Sequence, residues 1–348
     1  VTEPVLAIRD LVVEFDTPDG VVHAVDGVSY EVYPGETLGV VGESGSGKSV
    51  TVMSALGLIQ TPPGRIVRGE VIYKGRDIIG LPIDEMREIR NKEIAMIFQD
   101  PMTSLNPVFT VGDQIAEALL AHNEKMSDDR ARDETIGLLE MVGVPNPDRR
   151  YDQYPHEYSG GMRQRAMIAM AMANKPSVLI ADEPTTALDV TIQAQVLEVM
   201  KLAAEETGAA TIMITHDLGV IAEMADRIAV MYGGKVVEMG AVDEIYHTPR
   251  HPYTLGLMMS LPRITGEIKR LLPIPGNPPS LISRPPGCSF HPRCRMSEGR
   301  ELCRTSVPTL ADVDHGHLSA CHFWDEVAEE LAREAEATGI QAHGGALG

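Results

Sequence analysis

An α/β fold, with a parallel or mixed sheet covered by helices on both faces, is the architecture this 348-residue sequence predicts. Two observations carry it. Short apolar runs alternate with amphipathic stretches between Thr37 and Met231, the order that lays helices over both sides of a sheet. One of those runs ends in Gly42-Glu43-Ser44-Gly45-Ser46-Gly47-Lys48-Ser49, a turn of the form G-x-x-x-x-G-K-S between an expected strand and an expected helix.

Each element has a local reason. Val12, Val13 and Phe15 lead into the turn Thr17-Pro18-Asp19-Gly20, and Val21 to Val32 alternates again, so residues 5–41 read as β segments. Pro34-Gly35 turns the chain into the strand Thr37–Val41, and Ile94–Phe98 is another short strand. Residues 111–142 read as helical, with Ile115, Leu119 and Leu120 at helical spacing. A helix at 163–173 precedes the buried strand Val178–Ala181. A helix over Thr191–Glu206, with Val196, Val199 and Met200 on one side, precedes strands at Ala210–Ile214 and Ile228–Met231. Beyond about residue 245 the composition turns to Pro, Gly, Arg and Cys, so a separate appendage is expected there. The stretch Asp325–Glu336 reads as an exposed acidic helix.

Composition removes whole classes of function. With 30 Lys+Arg against 50 Asp+Glu the net charge is −20, which disfavours a nucleic-acid partner or direct spreading on anionic lipid. No run approaches the roughly 18 apolar residues of a membrane span. The first residues lack the order of a secretory signal, so a cytosolic protein with no direct membrane span is expected. The core is aliphatic and methionine-filled, with 18 Met and 4% aromatics.

The glycine turn predicts a nucleotide site. Its glycines let backbone amides wrap phosphate oxygens, and the helix that follows adds its positive N-terminal end. Gly42, Ser44, Gly45, Ser46, Gly47, Lys48, Ser49 and Val50 are the candidate contacts. Lys48 would neutralise β/γ-phosphate charge, and the Ser49 hydroxyl would hold Mg²⁺. Downstream, the strand at Val178 ends in Asp182-Glu183. Adjacent buried carboxylates need a positive partner. Mg²⁺ near Asp182 supplies one, and Glu183 is then the candidate general base for a water attacking the γ-phosphate.

Tyr158-Ser159-Gly160-Gly161-Met162, 23 residues before Asp182 counted from Ser159, resembles the signature motif of ABC ATPases. Gln99 after a strand is similar to the Q-loop glutamine, Ala187-Leu188-Asp189 to the D-loop, and Thr215-His216-Asp217 to the switch histidine segment. Phe98-Gln99-Asp100-Pro101-Met102-Thr103-Ser104-Leu105-Asn106-Pro107 and His251-Pro252-Tyr253-Thr254, with Leu261-Pro262 behind it, narrow the resemblance to oligopeptide, dipeptide and nickel permease ATPases. Met162, where most cassettes have Gln, resembles the D-type subunit of the two unequal ATPases in these permeases.

The resemblance implies a RecA-like core, an antiparallel β subdomain, an inserted helical subdomain at about 100–165, and a small Cys-containing extension. The expected division is a nucleotide-binding domain over 1–250, the extension over 251–330 and a flexible acidic tail over 331–348. It implies γ-phosphate contact for His216, sensing of Mg²⁺ and water by Gln99, and adenine stacking on Phe15. Ser159, Gly160, Gly161 and Asp189 would serve the ATP of a second ABC subunit, in a heterodimer docked on two transmembrane permease subunits. An extracytoplasmic substrate-binding protein would act indirectly. Peptide import at the cytoplasmic face of a bacterial inner membrane is the implied function. Import of nickel or another small solute, and a non-transport ABC ATPase acting on nucleic acid or as an iron–sulfur sensor, stand as alternatives.

All four cysteines fall at Cys288, Cys294, Cys303 and Cys321, with no C-x-x-C knuckle. Four thiolates can hold either Zn²⁺ or an iron–sulfur cluster. Phe290, Pro292, Phe323 and Trp324 could form an apolar jacket, and His291, His315, His317 and His322 could substitute in a zinc site. The resemblance favours a [4Fe-4S] cluster, with Zn²⁺ as the second choice.

Overall fold

Strands dominate the first third of the chain, and their inward faces explain the core. The structure is a computed structural model that describes residues 3–100, 104–186, 188–260, 273–330 and 333. In chain order the strands are β1 (Leu6–Thr17), β2 (Gly20–Val32), β3 (Thr37–Val41), β4 (Gly64–Tyr73), β5 (Arg76–Asp77), β6 (Ile94–Ile97), β7 (Val178–Asp182), β8 (Ala210–Thr215), β9 (Arg227–Tyr232), β10 (Lys235–Ala241), β11 (Ala311–Asp314) and β12 (His317–Ser319). An antiparallel sheet has the order β2-β1-β4-β5. The larger sheet runs β11-β12-β10-β9-β3-β8-β7-β6. Its portion from β9 to β6 is parallel, and the β10–β12 edge is antiparallel.

The parallel strands are buried on both faces, and alternate residues enter two separate cores. Val178, Ile180, Ile212, Ile214, Leu38 and Val40 join the core shared with β1, β2, β4 and the helix Lys48–Ala55. Leu179, Ala181, Met213 and Val41 join the core under the helices Val111–Leu120, Asp128–Met141, Gly160–Met172 and Val190–Thr207. Parallel strands here read as unbroken apolar runs because both faces are covered.

Three expectations need correction. Residues 111–142 form two helices, not one. Asn123 Nδ2 donates to the Leu119 carbonyl at 2.7 Å where the first ends, and Ser127 caps the next by accepting from the Arg130 amide. β10 was not anticipated; it follows Gly233-Gly234, both left-handed (φ 57° and 82°), which reverse the chain after β9. The C-terminal extension is also not a separate appendage, because β12 pairs with β10 in the main sheet. The fully buried Glu238 of β10 pins it, accepting from the Arg250 and His251 amides and pairing with His317 Nε2 at 2.7 Å. Val327 is buried, so the acidic stretch begins anchored after the 3₁₀ turn Trp324–Glu326. Most of the expected tail, residues 334–348, and Leu261-Pro262 lie outside the described residues, as do Ala187 and 101–103.

Among the described residues no helix is long and apolar enough to cross a membrane.

Candidate functional site

The turn after β3 is shaped by close backbone approaches. At Gly42 (φ 154°) a Cβ would lie 2.2 Å from the Met231 carbonyl oxygen, and at Gly47 (φ 99°) one would lie 2.4 Å from that of Ala24. Only glycine fits either place. Gly47 is the N-cap of the helix Lys48–Ala55 and supplies no side-chain cap. The amides of Lys48, Ser49 and Val50 head the helix with no acceptor among the described residues, where its dipole favours an anion. Ser46 is 4% exposed, and its Oγ has no hydrogen-bond partner among the described residues. A buried, unpartnered hydroxyl beside free amides fits phosphate oxygens.

Lys48 Nζ donates to the Gly42 and Glu43 carbonyls at 2.7 and 3.1 Å. Burial pushes its pKa down, while Glu183, Asp182 and Glu43 act the other way. The ammonium thus lies folded over the loop, within a largely desolvated space. Ser49 Oγ donates to Asp182 Oδ1 at 2.9 Å. Burial raises the Asp182 pKa; the Ser49 hydrogen bond and Lys48 oppose that shift. A buried carboxylate and a hydroxyl placed together in this way suit a hard divalent cation.

Next to Asp182 the backbone bends. Glu183 has φ 48°, a left-handed conformation that costs a non-glycine residue of order 1 kcal/mol and clusters at functional sites. The bend turns its carboxylate away from the strand toward three groups. Gln99 Nε2 and Thr186 Oγ1 both donate to Oε2 at 2.9 Å, and His216 Nδ1 lies 3.4 Å from Oε1. Residues from three sequence segments thus converge on one carboxylate at the C-terminal ends of adjacent parallel strands, where α/β sheets place their ligands. Thr186 was not among the expected residues; a hydroxyl three positions after Glu183 was its only signal.

Other expected residues lie apart from this convergence. Ser159 caps the helix Gly160–Met172, accepting from the Met162 amide at 3.3 Å, and Asp189 caps Val190–Thr207, accepting from the Ile192 amide at 3.0 Å. Ser159, Gly160 and Asp189 are exposed, and no hydrogen bond among the described residues links Ser159–Gly161 to the loop 42–49. Phe15 is half-buried in β1, opposite Val22 and Gly64, with its ring toward Gly64.

The cysteines share one small cavity of about 20 Å³ that Cys288, Cys294, Cys303 and Cys321 line with Phe290 and Phe323. Burial raises all four thiols, Cys294 and Cys321 to about 12, and each of these two is raised further by the other cysteines. Among the described residues no three His, Cys, Asp or Glu side chains are placed to hold a metal ion. Of the histidines considered for zinc, His291 and His322 line the cysteine cavity and His317 is held elsewhere. His317 pairs with Glu238, His291 and His322 engage the Cys288 and Ser306 carbonyls, and His315 lies in the β11–β12 turn.

Comparison with known proteins agrees with this geometry. Residues 25–186 match the ABC transporter family, and residues 237–303 match the oligopeptide/dipeptide transporter C-terminal region. The dipeptide transport ATP-binding protein DppD of Bacillus subtilis is 50% identical over 337 residues, covering 96% of this chain and 99% of that protein. The oligopeptide transport ATP-binding protein OppD of the same organism is 54% identical, over 90% of this chain and 87% of its own. Among solved structures, a dimeric ATP-binding cassette in a post-hydrolysis state with ADP and Pi superposes with TM-score 0.61 and 26% identity. It covers 68% of this chain and 98% of its own. The phosphate turn, the acidic pair after β7 and a relative matched along nearly its whole length lead to one conclusion: the chain belongs to the ABC transporter family, as an ATP-binding ATPase subunit of its oligopeptide/dipeptide branch.

Proposed function

We propose that this ATPase energises import of peptides across a bacterial cytoplasmic membrane, and that Glu183 is the base that activates the hydrolytic water. The observation that carries the base assignment is the meeting of Gln99, Thr186 and His216 on the Glu183 carboxylate, beside Lys48 and Asp182. The loop amides and the Ser46 hydroxyl bind the phosphates, and Lys48 turns from the Gly42 and Glu43 carbonyls to the β/γ-oxygens. Ser49, Asp182 and Gln99 would hold Mg²⁺, which neutralises charge developing on the transferred group. Glu183 accepts the proton of the attacking water, and His216 contacts the γ-phosphate. Phe15 stacks on adenine.

The peptide cargo follows from the relatives' names and from the C-terminal region shared with oligopeptide and dipeptide transporters. The partners we assign are a second ABC ATPase, two transmembrane permease subunits and, indirectly, an extracytoplasmic binding protein. That places the chain peripherally at the cytoplasmic face. Phe98, Val108 and Phe109 are exposed apolar groups near Gln99 in sequence and suit the permease contact.

The four cysteines we assign to a [4Fe-4S] cluster. What supports the reading is that the fold brings all four cysteines of the chain together beside Phe290 and Phe323. Their mutual repulsion as thiolates is what bound iron would relieve, and the cluster would cross-link the extension.

Uptake into vesicles carrying the assembled transporter tests the reading. ATP-dependent entry of di- or oligopeptide, abolished by Lys48→Ala, is expected. Peptide entry undiminished in that variant would overturn it.

A further inference from the structure

A residue of the C-terminal extension reaches the phosphate loop. Arg293 lies between Cys288 and Cys294, at the end of the 3₁₀ turn His291–Arg293, and its side chain is only 6% exposed. Its guanidinium pairs with Glu43 in a fork, Nη1 to Oε2 at 2.6 Å and Nη2 to Oε1 at 2.8 Å. Nε donates to the Pro275 carbonyl at 2.8 Å, and Nη1 also reaches Tyr232 Oη at 3.3 Å. Glu43 follows Gly42 in the phosphate turn, and its own amide donates to Tyr253 Oη at 2.9 Å. Tyr232 and Tyr253 each pack edge to face on Phe290 and tilted against one another behind the fork, with centroids 4.6 to 5.4 Å apart. Phe290 also lines the cysteine cavity.

The other end of the turn is held from the same extension. Leu281 accepts from the His23 amide at 3.0 Å, and Arg284 bonds the His23 carbonyl and the Asp26 carboxylate. Between those two lies Ala24, whose carbonyl backs Gly47. The phosphate turn is thus gripped at its first residues by Arg293 and at its last, through β2, by the segment 281–284.

We propose that Arg293 is a positioning residue for ATP binding: by pairing with Glu43 it neutralises the one carboxylate carried by the phosphate turn and fixes the Gly42–Glu43 backbone. The physical case is charge. A carboxylate two to six residues from the amides that receive a triphosphate repels it unless neutralised, and a buried bidentate arginine is the strongest neutraliser available.

The proposal rests on the phosphate-loop reading, and the test separates the two. ATP and adenosine affinities are measured by calorimetry on the full chain for the parent, K48A, R293A, R293K, E43Q and R293A/E43Q. R293A is expected to weaken ATP about tenfold and leave adenosine unchanged; R293K falls between. E43Q in the R293A background is expected to restore ATP affinity to within threefold of the parent, because the unpaired negative charge is gone. A merely structural arginine would lower thermal stability and weaken ATP and adenosine together, whereas a loss confined to ATP with unfolding unchanged marks repulsion of the triphosphate. Unchanged ATP affinity in both R293A and R293K, or no recovery in R293A/E43Q with thermal unfolding intact, overturns the proposal. Should R293A not fold, R293K and E43Q/R293K carry the same comparison. ATP binding by K48A equal to the parent would instead refute the loop as the triphosphate site.

Discussion

Glu183→Gln separates chemistry from binding, because the structure limits what else the change disturbs. Glutamine keeps an oxygen where Thr186 Oγ1 and Gln99 Nε2 donate, and it inherits the φ of 48° without new steric demand. The charge lost toward His216 belongs to a pair 3.4 Å apart whose histidine is 63% exposed, a contact worth well under about 1 kcal/mol. Stability should therefore stay within about 1 kcal/mol of the parent. Catalysis should not: a general base contributes about 10²–10⁴-fold, or roughly 3 to 5 kcal/mol of barrier at 1.36 kcal/mol per decade. Phosphate release by the assembled transporter, measured with saturating ATP, should fall at least 100-fold, while the Kd for ATP stays within about threefold. Turnover within threefold of the parent would refute the base assignment, and ATP affinity lost in parallel would mean that Glu183 binds nucleotide instead.

Gly47→Ala places a Cβ 2.4 Å from the Ala24 carbonyl at φ 99°; urea unfolding should show a loss of about 2 kcal/mol, with ATP affinity reduced tenfold or more. Phe109→Glu charges a side chain that is 54% exposed, and should leave ATP binding by the free chain intact while abolishing co-purification with membrane subunits. Anaerobically purified protein should show iron, sulfide and a broad band near roughly 400 nm, all lost in Cys294→Ser; stoichiometric zinc without iron would defeat the cluster assignment.

The parts of this protein legible in the sequence are those whose chemistry is local. The phosphate turn announces itself because its glycines, lysine and serine are contiguous, and the strand ending in Asp182-Glu183 because both faces of β7 are apolar. The break at 121–127 hid because the flanking helices keep a common apolar period, and the stop depends on the side chains of Asn123 and Ser127. The joining of β12 to β10 hid for a different reason. It rests on a buried Glu238 meeting His317, a pairing across 79 positions that no period records. Arg293 and Glu43 stand 250 positions apart, and each alone reads as an ordinary surface charge. Cysteine identity pointed to a shared site, but only the fold shows that His317 is held by Glu238 while His291 and His322 line the cavity.

The site's polar groups are satisfied in two different ways, and the difference bears on the proposed pairing with a second ATPase. Gln99, Glu183, Thr186 and His216 are engaged with one another, and Ser49 with Asp182, so this side of the reaction is assembled before any partner arrives. The helix Gly160–Met172 is different. Ser159 satisfies the Met162 amide, and the amides of Gly160 and Gly161, at an exposed helix start, have no acceptor among the described residues. Gly161 packs so closely on Ile192 that a Cβ there would sit 2.6 Å from its Cγ2, which ties this helix start to the helix headed by Asp189. Beside Asp189, Val190 is 83% exposed. Free amides and bare apolar surface on one rigid pair of helices call for an anion and a covering protein surface together. Under the pairing proposed above, a second cassette with a triphosphate on its own loop would supply both.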